Sequence, residues 1–173
     1  QNTGSYDIID LGGLAGVAGG ATFKNCESRV NITVTSLTSK DETRDIYCAA
    51  GGIVGGAHSS SVFDNADNYG EIKLNTKNED RPTYWNVAGI VGHVITNVGE
   101  TPVNKITMCD NHGDIYTAEG TISSTLTLGG ILANMPAGME FSSNTNDGAI
   151  SNNGETSATT YLSGIIGYIN ESP

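Results

Sequence analysis

The chain has 173 residues, of which 37% are hydrophobic; a chain of that size buries roughly 70% of its unfolded surface, so disorder is excluded and neither metal nor disulfide is needed for folding. Charged residues make up 16%, with 8 Lys and Arg against 19 Asp and Glu, and the formal net charge is -11. A field of that sign makes nucleic acid and anionic lipid poor partners, and no apolar run of about 18 residues exists to insert into a membrane.

The chain opens on Gln1 instead of Met, which leads to the expectation of a removed leader or upstream region, and hence of secretion. The first recurring element is the tetrad Gly13-Leu14-Ala15-Gly16. It returns as Gly52-Ile53-Val54-Gly55, Gly89-Ile90-Val91-Gly92, Gly130-Ile131-Leu132-Ala133 and Gly164-Ile165-Ile166-Gly167, with first glycines 39, 37, 41 and 34 residues apart. Segments before the tetrads, such as 84–88 and 125–129, read as strands, with the glycines at corners.

A second block follows each of the first four tetrads. It runs Phe23, Cys26, Ser28, Val30, Ile32, then Phe63, Ala66, Asn68, Gly70, Ile72, then Ile106, Cys109, Asn111, Gly113, Ile115, and finally Phe141, Asn144, Asn146, Gly148, Ile150. From the small residue onward the alternation has period 2, the signature of a strand. The step from first glycine to small residue is 13, 14, 20 and 14, so the third unit carries an insertion, placed at 96–104. Polar stretches at 36–45, 75–82, 119–124 and 152–158 read as loops between units.

Each unit of about 38 residues holds too few strands to bury its own apolar face, and stacked units would bury it as coils of a parallel β-solenoid. The expected fold is therefore all-β, a parallel β-solenoid of four to five coils with long loops on one side, forming one domain over residues 1–173 of a larger protein. In that arrangement Phe23, Phe63, Ile106 and Phe141 form an inward apolar file, and Ser28, Asn68, Asn111 and Asn146 form a polar ladder. The rival is an antiparallel sandwich, whose strands need not repeat in sequence.

The tetrads, followed by blocks such as Cys109-Asp110-Asn111-His112-Gly113-Asp114-Ile115, resemble the GLUG repeat over residues 11–169. That family occurs in secreted and cell-surface proteins of gut bacteria and in non-catalytic regions of some immunoglobulin-cleaving metallopeptidases. Ala133 in place of a closing glycine and Val30 in place of the second-block glycine depart from the pattern. The resemblance implies a bacterial extracellular or cell-surface β-solenoid; it implies no ligand and no binding residues.

Catalytic signatures are absent: there is no His-Glu-x-x-His, no Gly-x-Ser-x-Gly and no phosphate loop. Cys26, Cys48 and Cys109 lack metal-like spacing and are expected as buried thiols, and His58, His93 and His112 fall at three repeat positions and are expected at the surface. Residues 65–76 mimic part of a calcium loop but place Thr76 where a Glu is required.

If Ala66, Asn68 and Gly70 point inward, then Asp67, Tyr69 and Glu71 point outward, next to Asp110, His112 and Asp114 of the following coil. Asp67 on Asp110 and Glu71 on Asp114 form a solvated acidic face or a weak Ca²⁺ site. Tyr47 and Tyr84, at one offset before their glycines, would stack outward on adjacent coils, either covered by the long loops or displayed as a sugar platform, with Tyr69 and Tyr116 on another face, whereas Trp85 shares the parity of Cys48 and Leu126 and belongs to the core. The expected function is a non-enzymatic, adhesin-like surface module or spacer that binds a host or dietary glycan or a surface protein. The opposing expectation is a β-helical enzyme that degrades polysaccharide through Asp67, Asp110 and Asp114.

Overall fold

The computed structural model describes residues 6–35, 45–58, 60–75, 83–95, 104–118, 121–122, 125–156 and 159–170. Four full coils and a half coil stack along one axis, and four strand positions per coil generate four sheets. Sheet I holds Tyr6–Gly12, Asp45–Gly51, Thr83–Ala88, Leu126–Gly129 and Thr160–Ser163. Sheet II holds Ala15–Gly19, Val54–His58, Val91–Ile95, Leu132–Pro136 and Ile166–Asn170. Sheet III comprises Thr22–Ser28, Val62–Asn68, the interrupted pair Lys105–Thr107 and Asp110–Asn111, and its successor Glu140–Ser142 and Thr145–Asn146. Sheet IV holds Ile32–Val34, Ile72–Leu74, Ile115–Thr117 and Ile150–Asn152.

Pairing is parallel in every described ladder, which rules out the sandwich. The register matches equivalent repeat positions: Asn68 lies on Asn111, Asn111 on Asn146, and Ser28 on Asn68. Phe23 stacks on Phe63 with ring centroids 5.2 Å apart, and Ile106 pairs with Phe63 below and Phe141 above. The proposed insertion at 96–104 lies, apart from Asn104, outside the described residues, as do most of the inter-unit loops. Two of those stretches contribute a short parallel pair, Thr121–Ile122 with Glu155–Thr156.

The coil encloses two cores instead of one. Cys48, Ala50, Trp85, Val87, Leu126 and Leu128 of sheet I pack on Val34, Ile72, Leu74 and Ile115 of sheet IV. On the other side Val54, Ala57, Val91, Val94 and Leu132 of sheet II pack on Phe63, Ala66, Ile106 and Cys109 of sheet III. Between them runs a narrow waist, where the first glycine of each tetrad meets the polar ladder: a Cβ at Gly52 would overlap the Asn68 side chain, at Gly89 that of Asn111, and at Gly130 that of Asn146. The two recurring motifs are thus the two halves of one contact.

At the waist the ladder asparagines Asn68 and Asn111 are fully buried and bonded. Asn68 Nδ2 donates to Gly70 O (2.8 Å) and to Asn111 Oδ1 (2.7 Å), and Asn111 Nδ2 donates to Gly113 O (2.8 Å) and to Asn146 Oδ1 (2.6 Å). Each amide therefore ties its own bend and the next coil, which is what keeps a polar group tolerable at zero exposure.

A second recurring feature explains the three-residue step between the inward Phe or Ile and the small residue. Asn25, Asn65, Met108 and Ser143 occupy one repeat position and have φ of 50°, 56°, 54° and 57°. A left-handed residue at this position in each of the four coils inserts a bulge and shifts the parity of the residues after it. Asparagine accepts that conformation, whereas Met108 and Ser143 carry a cost of about 1 kcal/mol each. Asn144 repairs the broken ladder beside them, accepting from Cys109 N and donating to Ile106 O, both at 3.0 Å.

Candidate functional site

Two outward surfaces collect the chemistry-bearing side chains. The first is a ridge on the convex bend between sheets III and IV, opposite the waist. There Arg29, Tyr69, His112 and Asp147 share one file. The Arg29 guanidinium lies 4.5 Å over one face of Tyr69, His112 stacks on the other at 4.5 Å, and His112 Nδ1 meets Asp147 Oδ1 at 2.8 Å. Tyr69 is outward as expected, with both ring faces occupied.

The neighbouring file runs Glu27, Asp67, Asp110 and Thr145. Asp110 Oδ1 accepts from Thr145 Oγ1 at 2.7 Å, while Asp67 Oδ1 is buried without a hydrogen-bond partner among the described residues. Burial first, and then the Asp110 carboxylate, push the Asp67 carboxyl above its ordinary range. On the far side of the bend Tyr116 Oη donates to Glu71 Oε1 at 2.6 Å, and Asp114 Oδ1 accepts from Ala149 N at 2.8 Å. Asp67 with Asp110 and Glu71 with Asp114 thus form two pairs, each partly engaged by neighbours. Among the described residues no three His, Cys, Asp or Glu side chains gather as a metal site would require.

The second surface is a groove on the opposite side, and the waist creates it. Because the tetrad folds inward to touch the asparagine ladder, the outward sides of sheets I and II converge at a re-entrant corner. A Cβ on Gly55 would lie 2.5 Å from Leu11 N, and one on Gly92 2.7 Å from Ala50 N, so the closing glycine lets sheet II pass the backbone of sheet I. In the fourth coil Ala133 fills the same place with one methyl, fully buried.

The groove is lined by Tyr47, Tyr84, Asn86, Thr125, Thr127 and Tyr161 from the sheet I side, with Trp85 beneath, and by Asn134 and Tyr168 from sheet II; its volume is about 190 Å³. Tyr47 and Tyr84 stack on adjacent coils at 6.3 Å, and Tyr161 and Tyr168 face each other across the corner at 5.0 Å. Asn86 Nδ2 donates to Tyr47 Oη at 2.6 Å. Burial, and then Asp10, raise the Tyr47 phenol well above its ordinary value, so it stays a neutral hydroxyl.

Toward the amino-terminal end His93 packs on Tyr47 with centroids 4.9 Å apart, and its Nδ1 is buried and unpaired among the described residues. Burial, and then His58, lower its pKa to about 4, so His93 is a neutral ring in the groove wall and not the surface residue its sequence position led us to expect. Asp10 lies on the same wall, raised by burial and lowered in part by His58. The thiols follow expectation in two cases, Cys48 and Cys109 being buried, while Cys26 is half-buried at the first coil.

Tyr47 and Tyr84 are therefore brought together as the sequence indicates, and Trp85 is core at 2% exposure. The rest of the groove lay beyond sequence reasoning. Tyr161 pairs with Thr127 and Tyr168 with Asn134, so both belong to aromatic-poor files. The signal that could have found them is outward parity in sheets I and II taken together with a concave corner. No family model, curated protein or solved structure matches the chain.

Proposed function

We propose that this chain is a non-enzymatic glycan-binding β-solenoid of a bacterial secreted or cell-surface protein, of the GLUG-repeat kind, and that the re-entrant groove holds the sugar. The observation that carries this reading is the groove's composition: tyrosine rings at two levels along the axis, with Asn86, Asn134, Thr125 and Thr127 between them. Flat rings suit the apolar face of a pyranose, and amides and hydroxyls suit its hydroxyl groups. The net charge of -11 favours a neutral host or dietary glycan over an acidic one.

Trp85, the one tryptophan of the chain, lies directly beneath the groove and reports on it. Titration of neutral oligosaccharides while following Trp85 emission is expected to give a saturable change. A flat response across host and plant glycan panels would overturn the reading.

One observation favours the enzymatic alternative: Asp67, with its raised carboxyl, stands beside Asp110, the arrangement by which two carboxylates divide acid and base roles. Against it, the pair sits on the outside of a convex bend, where nothing among the described residues encloses a scissile bond, and Thr145 already engages Asp110. Glycan cleavage by the wild type, abolished by Asp110→Asn, would establish this alternative with Asp67, Asp110 and Asp114 as its residues.

A further inference from the structure

Along its axis the groove passes from large side chains to small ones and back. In sheet I, Thr127 of the fourth coil lies between Asn86 below and Tyr161 above. In sheet II, Asn134 lies between His93 below and Tyr168 above. A third file runs from Tyr47 to Tyr84, stacked at 6.3 Å with 24° between the ring planes. It continues at the fourth coil with Thr125, which stands one residue before Leu126 as Tyr84 stands one before its partner Trp85. The fourth coil therefore presents two threonines and an asparagine, with the ring of Tyr84 on one side of them and those of Tyr161 and Tyr168 on the other.

This notch has the shape of a ring left out of a stack. The levels on either side of the fourth coil are two strand spacings apart, about 9.6 Å, which places one more flat ring at ordinary stacking distance between their aromatic side chains. Thr127, 5% exposed, is the floor. Thr125 and Asn134 close the sides; neither side chain makes a hydrogen bond among the described residues, and neither leaves a polar atom buried, so both open on the notch. Asn86, one level down, differs in being committed to Tyr47 Oη at 2.6 Å. The groove's volume of about 190 Å³ falls short of the roughly 300–1,000 Å³ that encloses a drug-sized ligand, and it suits one six-membered ring. Such a ring has to be apolar on both faces, where it meets tyrosines, and polar round its rim. A pyranose meets that condition when its hydroxyls are all equatorial, because axial C–H bonds then cover both faces; an axial hydroxyl would press on a tyrosine ring without a hydrogen-bond partner.

We infer that the notch at the fourth coil takes the terminal unit of a glycan whose pyranose has the gluco configuration, with every ring substituent equatorial. The inference rests on the glycan reading of the groove and names the class of sugar. The terminal ring lies between Tyr84 and the Tyr161–Tyr168 pair, in the place of the missing ring, and its hydroxyls bond to Thr125 and Asn134. With a floor at Thr127 and both sides closed, one edge of the ring faces out and one glycosidic linkage leaves the notch, so only the end unit of the glycan is recognised.

The test follows Trp85 emission of the whole chain while methyl β-glucoside, methyl β-galactoside, cellobiose and cellotetraose are titrated. Saturable binding of the glucoside is expected at millimolar sugar, about tenfold tighter than binding of the galactoside, whose one difference is an axial hydroxyl. Cellotetraose is expected to bind no more tightly than cellobiose. Thr125→Tyr supplies the missing ring from the chain itself and should abolish binding, and Asn134→Ala, which adds no bulk, should weaken it about fivefold or more. Equal affinity for glucoside and galactoside, affinity that rises from cellobiose to cellotetraose, or full affinity in either variant would overturn the inference while the groove reading stands. A flat response to every sugar would overturn both.

Discussion

The convex ridge and the re-entrant groove are built from the same repeat and use their outward side chains in opposite ways. On the ridge, files of unlike residues meet one strand spacing apart and satisfy one another: Arg29 on Tyr69, Tyr69 on His112, His112 with Asp147. In the groove, two sheets converge, and rings and amides from different coils face a shared space of about 190 Å³ instead of each other's faces alone. A solenoid thus hides polar chemistry by stacking it and displays it by bending. The bend depends on the glycine–asparagine waist, so the groove stands or falls with residues that never reach it.

The largest effect should come from the waist. Asn111→Ala leaves Gly113 O and Asn146 Oδ1 without their donor and one Asn68 N–H without its acceptor; at about 1–3 kcal/mol for each buried orphan, urea unfolding should report a loss of about 4 kcal/mol. Gly89→Ala, whose methyl would overlap Asn111 and Gly130 O, should cost about 3 kcal/mol, with a fall in melting temperature near 10 °C. Gly164→Ala, whose added methyl meets nothing among the described residues, should cost nothing. Equal effects of the two glycine changes would break the account of the waist as the place where glycine is required.

A smaller effect concerns pH on the groove side. His93 has a folded pKa of about 4 against 6.5 ordinarily, so the native ring stays neutral while the unfolded chain takes up a proton. Its contribution to stability is complete above pH 6.5, declines as pH falls toward 4, and is then fully lost. Asp10 and Asp67, raised by burial, act in the opposite sense, because the native state binds their protons first as pH falls. The difference between wild type and His93→Gln isolates the histidine. Chemical unfolding between pH 7 and 4 should show the wild type losing about 3 kcal/mol that the variant keeps.

The smallest effect belongs to the ridge. Tyr69 is 41% exposed, Arg29 on one of its faces is largely in solvent, and so is Asp147, the partner of His112 on the other face. Tyr69→Ala should cost less than about 1 kcal/mol and diminish as salt is added. A loss comparable to that of Asn111→Ala would mean that the ridge, and not the waist, holds the coils in line.

Much of the stacking is legible in the sequence, because a parallel solenoid converts repeat position into spatial neighbour. Phe23 on Phe63, Asn68 on Asn111 and the burial of Trp85 follow from offset and parity alone. The left-handed column was not legible: two of its residues are Asn, but Met108 and Ser143 carry no such mark, and only the three-residue step hints at a bulge. The division into two cores was hidden for a different reason. It arises from a contact between two motifs on opposite walls, Gly52 with Asn68, and repeat analysis aligns each motif with its own copies rather than with the other. Of the candidate site, Tyr47 and Tyr84 could be read as a stacked pair, while Asn134 and Tyr168 come from sheet II and become neighbours only through the bend.

The central claim, that the re-entrant groove and not the ridge receives the ligand, is tested most directly by one pair of variants in the Trp85 titration. Tyr84→Ala with Tyr161→Ala in one chain is expected to weaken the responding oligosaccharide at least tenfold, through loss of ring contacts, while Tyr69→Ala binds as the wild type does. Unchanged affinity in the groove variant together with loss in Tyr69→Ala would contradict the account and move the site to the convex side.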